Sequence, residues 1–127
     1  MKKILVVDDQ KNVRTSICIG LGRDGYVVDV ASNARTALIK LQETNYDIVL
    51  ADVRMPDTNG FVLATVIQEL YPHIKIILMS AYDFKDYEMK YEGVQTCPKL
   101  SKPFDMMELR ALIGNNISKQ KPNEIRN

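Results

Sequence analysis

Five polar residues stand at or just beyond the ends of short apolar runs. Asp8 and Asp9 follow Ile4-Leu5-Val6-Val7, Asp52 follows Ile48-Val49-Leu50-Ala51, Ser80 follows the run 74–79, and Lys102 follows the segment 96–100. Three carboxylates brought together repel one another, and desolvation makes each costlier to ionise, so such a cluster calls for a cation. Oxygen ligands at two strand ends favour Mg²⁺, which prefers octahedral oxygen coordination and commonly keeps waters and a phosphoryl oxygen. A phosphate is then the natural second ligand. Lys102 would bring a positive charge and Ser80 a hydroxyl donor to the same phosphoryl oxygens, the clamp that phosphoryl transfer needs, and Asp52 is the candidate nucleophile. A single aspartate after a strand commonly caps the next helix, but an adjacent pair and an Asp52 without a neighbouring cap position are harder to explain that way.

The five groups converge only if the chain folds so that all these ends lie on one rim. Ile4-Leu5-Val6-Val7 reads as a buried strand, followed by a helix carrying Val13, Ile17 and Leu21 at spacing four. Tyr26-Val27-Val28-Asp29-Val30-Ala31 alternates as a half-exposed strand, and Ser32 or Asn33 caps a helix with Ala34, Ala37, Leu38 and Leu41. The third strand leads through Met55-Pro56-Asp57-Thr58-Asn59-Gly60, dense in turn formers, to a helix with Leu63, Ile67 and Leu70. Pro72 ends that helix, the run 74–79 is a fourth strand, and the charged, Tyr-rich segment 83–92 reads as a helix ended by Gly93. Residues 96–100 form a weak fifth strand, because Pro98 cannot donate to a central ladder. Asp105, with Glu108 three residues on, caps a last helix bearing Leu109, Leu112 and Ile113.

Continuous apolar strands spaced by helices predict an α/β domain, a doubly wound five-stranded parallel sheet with helices on both faces. The polar second strand and the Pro-bearing fifth belong at the edges, which suits the flavodoxin-like order 2-1-3-4-5. In such sheets ligands bind outside the carboxyl ends of the strands, where the five groups stand. Residues 1–117 are read as one domain and 118–127 as a mobile polar tail or the start of a linker.

Composition narrows the partners. With 127 residues and 46% hydrophobic content, one globular domain is expected. The 17 Lys+Arg against 16 Asp+Glu lack the footprint of a nucleic-acid binder. Asp8 and Asp9 cut the first apolar run far short of a secretory core, and no later stretch suffices for a membrane span. Cys18 and Cys97 form no CxxC and cannot build a zinc site even with the lone His73, so a reduced, cytoplasmic location is expected.

Taken together, Ile4-Leu5-Val6-Val7-Asp8-Asp9, Asp52-Val53-Arg54-Met55-Pro56-Asp57-Thr58-Asn59-Gly60, Met79-Ser80-Ala81 and Lys102-Pro103-Phe104 resemble the response-regulator receiver domains of two-component signalling, over residues 2 to about 117. The resemblance implies that Asp52 accepts a phosphoryl group from a histidine kinase or phosphotransfer protein. It implies that Asp9, Asp52 and the backbone carbonyl of Arg54 bind Mg²⁺, with Asp8 acting through water, and that Ser80 and Lys102 contact the phosphoryl oxygens. It further implies a cis Lys102-Pro103 peptide and a switch with slow self-dephosphorylation rather than a turnover enzyme. Arg54 and Tyr82, two residues beyond Asp52 and Ser80, would tune water access.

One position departs from the pattern. Receivers usually carry an aromatic residue three positions before the lysine, where this chain has Lys99, so the usual coupling of Ser80 to an inward-turning ring is expected to differ. Output would pass to an unidentified downstream protein through the face made by the 83–92 helix, the fifth strand and the last helix, with no direct contact to membrane or nucleic acid. A related phosphatase built on an Asp-x-Asp pair does not fit Asp8-Asp9-Gln10, and a flavin binder would need a Gly- and hydroxyl-rich loop where these acids stand. A receiver-like binding module that is never phosphorylated is the alternative, although such modules normally lose an acid, the Ser/Thr or the Lys, and none is missing here.

Overall fold

A computed structural model describes residues 2–81 and 97–118. The described strands are β1 (Lys3–Val7), β2 (Val27–Ala31), β3 (Ile48–Asp52), β4 (Lys75–Ser80) and β5 (Lys99–Ser101). The described helices are α1 (Lys11–Arg23), α2 (Ala34–Glu43), α3 (Gly60–Leu70) and α4 (Met106–Ser118). The strands pair in parallel in the order β2-β1-β3-β4-β5, which puts the two most polar strands at the edges as expected.

Side chains alternate across this sheet, and both faces are covered. Leu5, Val7, Val49, Ala51, Ile76 and Leu78 pack on one face with Ala37 and Leu41 of α2 and Phe61, Leu63 and Ile67 of α3. Ile4, Val6, Ile48, Leu50, Ile77 and Met79 pack on the other with Ile17 and Leu21 of α1 and Leu109 and Ile113 of α4. Burial on both faces is why the runs read as continuously apolar rather than alternating. Each of the larger of these side chains contributes roughly 1.5–3 kcal/mol, so the strand ends project from a rigid base.

Three of the four described helices begin on a side-chain cap. Asn33 accepts from the Thr36 N–H at 2.8 Å, Asn59 from Val62 at 2.9 Å, and Asp105 from Glu108 at 2.9 Å. Asn33, not Ser32, is thus the cap of α2. Helix α1 starts at Gln10 with no side-chain cap. The ends of β4 and β5 fall later than sequence pattern places them. Ser80 lies inside the ladder, paired with Ser101, and Pro98 stands just before β5 with its carbonyl accepting from Leu78 at 3.0 Å. The expected helix over 83–92 lies outside the described residues. Helix α4 runs through Ser118, and residues 119–127 likewise lie outside them.

Two glycines lie close against a neighbour, one against a flexible side chain and one against rigid backbone. A Cβ on Gly20 of α1 would collide with the terminal methyl of Met106 on α4. A Cβ on Gly60, the first residue of α3, would fall on the backbone carbonyl of Asp52, and the Gly60 N–H itself donates to the Val53 carbonyl at 2.8 Å. Because the Asp52 side is rigid backbone, Gly60→Ala must push the start of α3 away from the end of β3. An expected loss of about 1–3 kcal/mol, read as a lowered urea midpoint, follows from forcing an extra group into packed structure. Unchanged stability would show that α3 yields freely there.

Candidate functional site

The first two acids are set by the turn from β1 into α1. The Asp8 N–H donates to the Ala31 carbonyl at 3.1 Å and so prolongs the strand ladder, while Arg14 reaches back from α1 to donate from Nη1 to the Asp8 carbonyl at 2.8 Å. The Asp8 carboxylate accepts from the Gln10 N–H at 2.9 Å through Oδ1 and from Lys102 Nζ at 2.7 Å through Oδ2. Asp8 is fully buried, whereas Asp9, next in sequence, is exposed.

Asp52 closes β3 and is 7% exposed. Its position is fixed on both sides: Val53 donates to the Met79 carbonyl of β4 at 2.8 Å, and Gly60 abuts its own carbonyl. Lys102 arrives from beyond β5, its N–H donating to the Ser80 carbonyl at 2.7 Å and its peptide bond to Pro103 being cis. That brings its ammonium within 3.2 Å of Asp52 Oδ2, so one lysine bridges Asp8 and Asp52. Ser80 is buried one strand away. Carboxylate oxygens of Asp8, Asp9 and Asp52 lie within 4.8 Å of one another, close enough to share one ion. A cleft of about 370 Å³ opens over the group, lined by Asp9, Asp52 and Lys102 together with Arg54, Met55 and Pro56 of the loop after β3.

The charges are strongly coupled. Burial, and then the neighbouring charge of Asp8, push the Asp52 carboxyl above the usual aspartate range, and Lys102 only partly offsets them. Burial acts to lower the Lys102 ammonium, but its hydrogen bond to Asp8 and the charges of Asp52 and Asp8 outweigh that and hold it above the usual lysine range. Asp8 and Asp52 are bonded to one ammonium and Asp9 stands beside them at the open cleft, where a divalent cation would relieve the repulsion among the three acids. Oxygen-only donors around an open cleft fit Mg²⁺ rather than a softer metal.

All of Asp8, Asp9, Asp52, Arg54 and Lys102 meet at this cleft or its margin, and Ser80 joins them through the backbone of Lys102. Tyr82 lies outside the described residues. Lys99 is half-buried, and its Nζ donates to the Cys97 carbonyl at 3.1 Å, so a cation held near the backbone occupies the position where an aromatic ring is usual. Sequence pattern missed three residues that hold the site. Arg14 fixes the Asp8 carbonyl, Gly60 lets α3 approach Asp52, and Asp57 accepts from the Ala34 and Arg35 N–H groups of α2 at 3.2 and 3.0 Å. The glycine that follows the turn-forming loop was a visible signal for close approach, but neither Arg14 nor Asp57 carries a local one.

The raised Asp52 pKa has a definite consequence for stability. Between the ordinary aspartate pKa and the raised folded value, the unfolded chain ionises first, so wild type loses stability as pH rises through that window. Asp52→Asn is therefore expected to raise the melting temperature in EDTA at neutral pH, with the advantage shrinking toward pH 3, where the acid is protonated in both states. A variant less stable than wild type at neutral pH without metal would contradict this reading of the cluster.

Comparison with known proteins places this arrangement in a wider set. The family described as Response regulator receiver domain matches residues 4–114. Among curated relatives, the DNA-binding transcriptional regulator NtrC of Rhizobium meliloti (strain 1021) is 36% identical over 118 residues, covering 93% of this chain and 24% of that protein. The regulatory protein AtoC of Escherichia coli (strain K12) is 30% identical over 94% of this chain and 26% of its own length. The chain thus spans about a quarter of the length of these relatives. Among solved structures, the response regulator TrrA from Thermotoga maritima, in complex with Mg(2+)-BeF, is 34% identical with a TM-score of 0.82, over 91% of this chain and 99% of that one. A receiver domain protein from Methanospirillum hungatei JF-1 superposes with a TM-score of 0.90 at 25% identity, over 97% of this chain and 98% of that one.

Proposed function

This chain belongs to the response regulator receiver domain family of two-component systems, and on that premise we propose that it is a phosphorylated switch whose phosphoacceptor is Asp52. The observation that carries the reading is the Lys102 ammonium bonded at once to Asp8 and Asp52, beside exposed Asp9, at the floor of an open cleft. The Mg²⁺ complex of the TrrA relative supports the choice of cation for the same acid cluster.

In this reading Asp9, Asp52 and the backbone carbonyl of Arg54 would hold Mg²⁺, and buried Asp8, engaged by Lys102 and Gln10, would act on it through water. Bound there, the cation would neutralise charge on the phosphoryl oxygens and on the acids alike. A histidine kinase or phosphotransfer protein presents a phosphohistidine at the cleft. A carboxylate oxygen of Asp52 attacks phosphorus in line, the O–P bond forms as the N–P bond breaks, and the imidazole leaves with the bonding pair. Lys102, released from Asp52 as that carboxylate becomes an acyl phosphate, pairs with a phosphoryl oxygen, and the Ser80 hydroxyl donates to another. Water attacking the same phosphorus later frees the carboxylate and ends the signal.

Arg54, and Tyr82 by its place two residues after Ser80 in the sequence, would tune access of that water, and Lys99 replaces the ring that usually reports the state of Ser80. Output therefore travels to a downstream protein without an aromatic at that position, across the face that includes β5 and α4. Residues 1–117 make up the switch domain, in a cytoplasmic setting.

The test is direct. Incubation with acetyl phosphate and Mg²⁺ is expected to add one phosphate, labile to acid and base, read by intact mass. Asp52→Asn should remain unlabelled, EDTA should abolish labelling, and Lys102→Met should slow it about a hundredfold. Equal labelling of wild type and Asp52→Asn would overturn the assignment, and no labelling under any condition would favour a binding module that is never phosphorylated.

A further inference from the structure

Within the first turn of α2 the N–H groups of Ala34, Arg35 and Thr36 have no acceptor in their own helix, and all three are bonded from outside it. Asn33, the N-cap, accepts from Thr36 through its side chain at 2.8 Å. The other two belong to Ala34 and Arg35, and both are taken by the carboxylate of Asp57, 23 and 22 residues away in the loop after β3. Asp57 is exposed, so without it these two donors would simply face water, and α2 would keep its Asn33 cap. The side that gains from the contact is the loop.

That loop is closed at its base. Arg54 and Asn59 pair across it as an isolated antiparallel bridge, the Gly60 N–H holds the Val53 carbonyl, and Asn59 caps α3. Between the bridged residues Met55 packs on the core cluster that includes Ala34 and Ala37, and Asp57 hydrogen-bonds from the tip to the start of α2. The charge at a helix N-terminus is favourable in itself. Burial opposes ionisation, but the N–H groups of Arg35, Ala34, Asp57 and Thr58 together outweigh it and hold the Asp57 carboxyl below the usual aspartate range.

We infer that Asp57 is a positioning residue for the cation site: by clamping the loop tip to the start of α2 it fixes the Arg54 backbone that lines the cleft. The inference rests on the reading of Asp9, Asp52 and the Arg54 carbonyl as Mg²⁺ ligands. Asp57 does not touch the cation or the phosphoryl group. It removes freedom from a ligand that, being a backbone carbonyl, no rotamer choice can otherwise hold in place.

Mg²⁺ affinity is measured by titration of backbone amide resonances in wild type, Asp57→Ala and Asp57→Asn, beside melting temperatures in EDTA and labelling rates with acetyl phosphate at low and saturating Mg²⁺. Asp57→Ala is expected to weaken Mg²⁺ binding about tenfold, the low end of the loss when groups that orient a metal's ligands are removed. Labelling should slow at low Mg²⁺ and recover at saturation. Asp57→Asn keeps one carbonyl acceptor and should fall between, and it carries the same test if the alanine variant does not fold. Wild-type Mg²⁺ affinity in both variants, or a lowered melting temperature alone, overturns the inference while leaving the proposed function intact. Failure of wild type itself to bind Mg²⁺ overturns that function and the inference with it.

Discussion

Two buried carboxylates share a single ammonium beside a third, exposed one. Asp8 is fully buried and Asp52 nearly so, yet their oxygens lie with those of Asp9 within the reach of one ion. Charges placed this way are costly unless paired, and Lys102 pairs only part of them. The site is therefore poised. A cation relieves the repulsion, and a phosphoryl group on Asp52 would give Lys102 a new partner in place of the old. The electrostatic tension that disfavours the bare cluster is the same one that a divalent cation and a phosphoryl group would relieve together.

Holding such a cluster requires a frame that does not relax, and the chain provides one by burying its sheet on both faces. Strands β1 and β3 are neighbours, so Asp8 and Asp52 emerge side by side, and β4 delivers the carbonyls of Met79 and Ser80 that seat Val53 and Lys102. Around this core the loops are held from outside: Arg14 grips the Asp8 carbonyl, and Asp57 ties the loop after β3 to α2. The positions of the acids thus depend on elements from most of the described sheet.

Much of this was legible in the sequence, for a physical reason. Strands buried on both faces show as unbroken apolar runs such as Ile48-Val49-Leu50-Ala51, and the polar residue that ends such a run stands at the carboxyl edge, where Asp8, Asp52 and Ser80 are found. Strand ends were less legible at β4 and β5. There the boundary is set by bonds to neighbouring strands, such as Leu78 to the Pro98 carbonyl and Lys102 to the Ser80 carbonyl, rather than by residue type. The anchors Arg14 and Asp57 were invisible because their partners lie six and more than twenty residues away, with no local pattern to mark them. Lys99 was visible as a departure, and the structure adds that its ammonium reaches the Cys97 carbonyl.

The dependence of everything on the charge balance at Asp52 can be read at the atom concerned. Titrating the side-chain carboxyl carbons by ¹³C NMR, with and without Mg²⁺, reports the Asp52 pKa in both conditions. Without the cation Asp52 is expected to titrate above the ordinary aspartate value of about 3.9, and saturating Mg²⁺ should drive that midpoint down. An Asp52 that titrates at the ordinary value and ignores Mg²⁺ would contradict the reading of these three acids as a strained, cation-seeking cluster.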